Sequence, residues 1–130
     1  MTTPEVGSEH VFERTFTTED VRRFADLSLD TQPQHVEPDA EGRLMVHGLL
    51  TATLPTKIGG DLEVLAHTMT VTFHRPVYTG EAITCTWTHE EVDEREDRYS
   101  ISVAIDCRGD DGETVMSGSL TGVVWKARAE

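Results

Sequence analysis

Lysine is nearly absent from this chain of 130 residues: only Lys57 and Lys126 carry it. Lysine and arginine together number 11 against 24 acids, for a formal net charge of −13. The acids are spread along the whole chain and no basic patch forms, which excludes nucleic acid as a partner. Abundant acid with little lysine fits a surface adapted to high salt, where counterions screen self-repulsion. Cysteine is equally scarce. Cys85 and Cys107 both lie in β-like runs and are expected to be buried free thiols, not a disulfide or a metal site. Long apolar runs are missing too; none approaches the ~20 residues of a membrane helix. The start, MTTPEVGSEH, has neither a basic region nor an apolar segment, so no signal peptide is visible and a cytoplasmic protein is expected. There are no repeats, no low-complexity tract and no glycine-rich phosphate loop.

What remains is a length that suits one domain, 1–130, with a core of its own. HVFERTF (10–16) alternates weakly and is expected to be a first strand. TTEDVRRFADLS (17–28) is a helix: Thr17 or Thr18 caps it, Glu19 and Asp20 suit its positive end, and Val21, Phe24, Ala25 and Leu27 give it an apolar side. LDTQPQHVEPDAEGR, with two prolines and a glycine, reads as an ordered loop. HGLLTATLPTKI is the best buried helix, from about His47 to Ile58. Gly59 and Gly60 are expected to end it and Pro55 to kink or shorten it.

From Leu62 onward the period is two. Leu65, His67, Met69, Val71 and Phe73 alternate with threonines and other residues. Ile83, Cys85 and Trp87 share a face, as do Tyr99, Ile101, Val103, Ile105 and Cys107. DEREDR and RGDDGE are turns. Long strands at regular spacing predict an antiparallel meander packed on one apolar helix, an α+β domain with a sheet wrapped around a central helix.

One segment stands apart. In LSLDTQPQH (27–35), Asp30 and His35 are five apart, with Pro33 between them. A helix brings residues three or four apart together, so this spacing on a broken helix is a different geometry. Pro33 fixes its own φ and pushes Gln32 out of the helical region. Two titratable side chains are thus held in a rigid turn, and loops on a rigid scaffold are where catalytic groups sit.

The order of features is DTQPQH (30–35), then VHGLL (46–50), then FHRPVYTGE (73–81). It resembles the D-x-x-P-x-H, HG and F-x-x-P-V-x-x-G-[DE] motifs of the MaoC-like, (R)-specific enoyl-CoA hydratases, which are hotdog-fold proteins. The resemblance covers roughly residues 15–125. It implies that Asp30 and His35 are the catalytic acid–base pair, holding one water beside the substrate double bond. It implies that the Gly48 backbone N–H faces the thioester oxygen. Hydration of a 2-enoyl thioester needs those three parts: a base for water at C3, an acid for a proton at C2, and a donor for the enolate-like oxygen. The resemblance does not divide acid from base.

The chain departs from the family at Gln32, usually asparagine, at Leu29, usually glycine, and at Gln34, usually aliphatic. The His35–His47 loop is shorter than usual. Gln32 and Thr56 are candidate pocket residues, Thr56 falling where many members carry a serine. His47 reads as structural. His10, His67, His74 and His89 show no ligand spacing, so neither a metal nor any other cofactor is expected. Gly118 and Gly122 share a face with Met116, Leu120 and Val124, and mark packing on the central helix or clearance for an acyl chain. The family also implies a homodimer or dimer of dimers covering an open sheet edge, with acyl-CoA as substrate; the acidic charge suits CoA phosphates poorly, and Arg43 or Arg75 are the candidates to compensate. Two other classes stay open: a hotdog acyl-CoA thioesterase, disfavoured because HGLLTATLPTKI holds no carboxylate, and a non-catalytic acyl-CoA-binding protein.

Overall fold

A computed structural model describes residues 3–126; positions 1–2 and 127–130 of the expected 1–130 domain lie outside the described residues. Five antiparallel strands form one sheet: β1 (Glu9–Thr15), β2 (Val64–Phe73), β3 (Ala82–Glu94), β4 (Arg98–Arg108) and β5 (Thr114–Trp125). Their order in space is β1-β3-β4-β5-β2, so β1 and β2 are the two edges. The meander β3–β4–β5 follows the alternation in the sequence. Ile83, Cys85 and Trp87 of β3, then Ile101, Val103, Ile105 and Cys107 of β4, are all buried on one face. Cys85 and Cys107 are register partners and remain free, buried thiols. The hydrogen bond with Cys85, together with burial, pushes the Cys107 thiol up.

Helix α1 (Thr18–Ser28) starts at Thr17, which forms a reciprocal capping box. The Asp20 N–H donates to Thr17 Oγ1 at 3.1 Å, and the Thr17 N–H donates to Asp20 Oδ2 at 2.9 Å. Val21 and Ala25 face the core. The helix stops because Leu29 turns left-handed, with φ 64°, and donates its N–H to the Ala25 carbonyl.

Three local expectations are corrected. The segment after Leu29 is not all loop, because Pro33–Val36 forms one helical turn, α2, with Pro33 at its first position, where no N–H is needed. The apolar helix is two short ones, α3 (Gly48–Thr51) and α4 (Thr53–Asp61), broken at Ala52. The interruption is of the kind expected from Pro55, which falls in the first turn of α4 and is tolerated there. Gly59 and Gly60 do not end α4; it runs to Asp61. At Gly59 the reason is packing, since a Cβ would lie 3.2 Å from the Trp87 ring, so the helix uses that glycine to settle onto the sheet. Leu54 and Ile58 complete the contact with the sheet core.

The glycines of β5 answer to neither expectation. A Cβ on Gly118 would overlap the Thr70 carbonyl, and one on Gly122 the Leu65 carbonyl. Both let the β2 backbone curl over β5. In β2 a register shift between Ala66 and Thr68 interrupts the alternation, and Leu65, Met69 and Phe73 are exposed along the open edge.

Candidate active site

Asp30, His35 and Gly48 come together at one cavity of about 730 Å³, between α1, the α2 turn, the start of α3 and the end of β2. The α2 turn buries the His35 ring while leaving the Asp30 carboxylate partly exposed. His35 Nδ1 lies 2.7 Å from the Met45 carbonyl oxygen. A carbonyl only accepts, so Nδ1 carries the hydrogen and donates, and the neutral ring presents a lone pair at Nε2. That nitrogen stands 3.7 Å from Asp30 Oδ2, too far for a direct hydrogen bond.

Gln32 shapes the acid. Its side-chain amide donates to Asp30 Oδ1 at 3.0 Å and its backbone N–H to the same oxygen at 3.4 Å. These bonds, the side-chain one foremost, hold the Asp30 carboxyl below its ordinary value, against a partial desolvation that acts the other way. Gln32 therefore supports the acid and does not line the cavity. Thr56 is placed elsewhere: it is exposed on α4 and donates its hydroxyl to the Ala52 carbonyl. The threonine that lines the cavity is Thr51, which is buried.

Gly48 opens α3, and its N–H finds no acceptor among the described residues. Its α-carbon lies under the Phe73 ring, so closely that a Cβ would sit 2.8 Å from it. Phe73 is half-exposed and lines the same cavity. Its motif position was visible in FHRPVYTGE; its seat on Gly48 was not.

His47 is more than a helix-start residue. It is buried, stacks on His35 with ring centroids 3.7 Å apart and 14° between planes, and reaches the Asp30 carbonyl with Nε2 at 3.0 Å. Asp30, His35 and His47 thus offer ligand atoms within 4.8 Å of one another. They do not suit a metal ion, because lone pairs of parallel stacked rings run side by side and do not converge on one point. The set suits proton transfer.

Arg43 and Arg75 are both engaged by acids. Arg43 pairs with Asp39 at 3.0 Å and lies over Tyr78. Arg75 pairs with Glu81 at 2.6 Å and Asp111 at 3.0 Å, with Glu113 at 3.6 Å.

Fold and site together define a hotdog domain with an acid–imidazole pair at the start of its central helices. The profile of the MaoC-like dehydratase domain matches residues 2–107, and the chain belongs to that family. Among solved structures it is similar to an (R)-hydratase from A. caviae involved in PHA biosynthesis, with a TM-score of 0.82, 24% identity, and coverage of 97% of this chain and 100% of the other. It is also similar to the R-hydratase PhaJ1 from Pseudomonas aeruginosa, with a TM-score of 0.81, 20% identity, and coverage of 98% and 89%. In sequence it is 26% identical over 125 residues to the mitochondrial 3-hydroxyacyl-[acyl-carrier-protein] dehydratase of Arabidopsis thaliana, covering 85% of this chain and 72% of the relative. No helix among the described residues is long and apolar enough to cross a membrane.

Proposed function

We propose that this chain is an (R)-specific 2-enoyl-thioester hydratase, acting reversibly as a 3-hydroxyacyl dehydratase and most simply on acyl-CoA. The observation that supports it most is the fixed lone pair of His35 Nε2, 3.7 Å from the Asp30 carboxylate in the cavity that also holds Gly48. One water can touch both groups. Asp30, ionised, accepts from that water and orients it. His35 Nε2 takes its proton as the oxygen bonds to C3 of the substrate. The π electrons move onto the thioester oxygen, which the Gly48 N–H stabilises. His35 then gives the proton to C2, and no external acid or cofactor is consumed. In this reading His35 serves as base and then acid, and Asp30 as orienter.

The exposed β2 edge, with Leu65, Met69 and Phe73, is the surface we assign to a second copy. Because Phe73 belongs to both edge and cavity, the pocket would be completed in the homodimer.

The test follows the loss of enoyl-thioester absorbance with crotonyl-CoA, with Asp30→Asn and His35→Ala beside the wild type. Each substitution is expected to lower kcat by about 10²- to 10⁴-fold. Folded wild type that turns over neither crotonyl-CoA nor longer or branched enoyl-CoAs defeats the reading. Release of CoA from saturated acyl-CoA would then indicate a thioesterase. Light scattering on the same sample reads the dimer.

A further inference from the structure

His47 sits one residue before Gly48 and at the N-cap position of α3, yet its side chain makes no capping bond. It is turned the other way. Nε2 lies 3.0 Å from the backbone carbonyl of Asp30, 17 residues earlier. The carbonyl accepts, so Nε2 carries the hydrogen. One face of the ring stacks on His35, and Phe24 packs against the ring with centroids 4.9 Å apart at 60°. The remaining nitrogen, Nδ1, is buried and has no hydrogen-bond partner among the described residues.

A side chain selected only to fill this space would not leave such an atom. Phenylalanine has nearly the same shape and buries no unpaired acceptor, and unpaired buried groups in native structures call for a reason. The reason on the page is the other nitrogen. Asp30 follows the left-handed Leu29, and among the described residues its own N–H is held only by Ser28 Oγ at 3.2 Å. The His47 bond is its link to the central helices. The stacked ring meanwhile limits His35 to one plane, with the Met45 carbonyl fixing rotation within that plane.

We infer that His47 is the positioning residue of this site: through one imidazole it ties the acid's backbone, the ring of the base and the Gly48 amide into a single rigid unit. The inference rests on the hydration reading for its kinetic consequence, but not for its geometry. As His35 takes its proton, the developing cation faces the π surface of the His47 ring, which favours it.

Two variants separate the roles. His47→Phe keeps the ring and its packing and loses the donor. His47→Gln keeps an N–H donor and loses the ring. Each is read by kcat and KM with crotonyl-CoA, by the ¹⁵N shifts of the His35 ring and by ¹³C titration of the Asp30 carboxyl. His47→Phe is expected to fold with an unchanged or higher thermal midpoint, to lose about 10- to 100-fold in kcat while KM moves less than about threefold, and to raise the Asp30 titration point. His47→Gln is expected to perturb the His35 ¹⁵N pattern more than His47→Phe does. Wild-type kcat in His47→Phe, or His35 and Asp30 spectra unchanged in both variants, overturns the inference. If the wild type hydrates no enoyl thioester, the hydration reading fails alone; spectra perturbed in the variants would still uphold the positioning role, and unperturbed spectra would still defeat it. Should one variant not fold, the other carries the same spectroscopic decision.

Discussion

His35 Nε2 stands 3.7 Å from Asp30 Oδ2 while the other nitrogen of the same ring donates to the Met45 carbonyl at 2.7 Å. The second distance explains the use of the first. A ring tied at Nδ1 cannot offer Nε2–H in its neutral form, so the two facing atoms are both acceptors and cannot bond each other directly. What fits between two acceptors is a molecule with two O–H donors. The α2 turn builds this by placing Pro33 at its first position, so the turn begins between the two residues and leaves Asp30 in the non-helical stretch before it.

Gln32 gives the first prediction. Its amide is the main reason the Asp30 carboxyl lies below its ordinary value. A lowered value in the folded state means the carboxylate persists to lower pH, and its contribution is lost only as pH falls through that lowered point. Gln32→Ala should therefore raise the Asp30 titration point, seen directly in the ¹³C signal of its carboxyl. The acid limb of kcat/KM should move to higher pH with it. Superimposable titration curves would show that Gln32 is not what holds the acid.

Leu29 holds a left-handed conformation, φ 64°, with its side chain 83% exposed. A non-glycine residue there costs about 1–2 kcal/mol, and the exposed side chain offsets little of it. Leu29→Gly should stabilise the isolated chain by about 1 kcal/mol, after the larger unfolded-state freedom of glycine is subtracted. Urea unfolding decides it. A lower midpoint would mean that Leu29 packs on something, for which a second copy is the candidate.

How much of this was legible depends on what each pattern encodes. Alternation in β3, β4 and β5 reads burial correctly because one face of each strand meets the helices. In β2 a register shift between Ala66 and Thr68 breaks the alternation, so Leu65 does not share a face with Met69 and Phe73, and all three are open at the edge. The capping box at Thr17 is local chemistry and reads directly. Gly59 reads as a stop because a glycine that ends a helix and one that seats a Trp87 ring look alike in sequence. At the site, Asp30, His35 and Gly48 are chain neighbours of recognisable motifs. Thr56 and Thr51 differ by five positions around a broken helix, so only the break at Ala52 decides which of them faces the cavity. The stacking of His47 on His35 and the seat of Phe73 on Gly48 are long-range contacts with no local signature.

His89 gives a pH dependence of stability. It is buried on β3, shares a hydrogen bond at Nδ1 with Ser8 Oγ, and leaves Nε2 unpaired among the described residues. Burial, with His10 adding like charge, pushes it below its ordinary value. For a base the sign is as follows: the unfolded chain binds a proton near the ordinary value of about 6.5, and the folded chain does so only at lower pH. Stability is therefore complete above that value and declines as pH falls below it, until the folded His89 also protonates. Unfolding midpoints at pH 7.5 and 5.5 should fall more in the wild type than in His89→Phe. Equal falls would place the titrating group elsewhere.

Gly48 separates a donor role from a packing role. A Cβ at this position would lie 2.8 Å from the Phe73 ring, and that ring, half-exposed at the end of β2, can swing aside. Gly48→Ala should therefore cost no more than about 1–3 kcal/mol of stability. Its effect on turnover should be larger. The methyl group stands beside an unpaired first-turn amide of α3, and displacing the thioester oxygen from that donor should lower kcat by about 10²- to 10³-fold. Phe73→Ala alone should leave kcat with crotonyl-CoA within a few-fold and admit longer acyl chains, because it opens the cavity without touching the amide. The double variant is the deciding case. With the ring gone, the added methyl has no clash, so stability should return while kcat stays low. Recovery of kcat in the double variant would mean that Gly48 exists to seat Phe73, and the oxyanion donor would have to be sought elsewhere in the cavity.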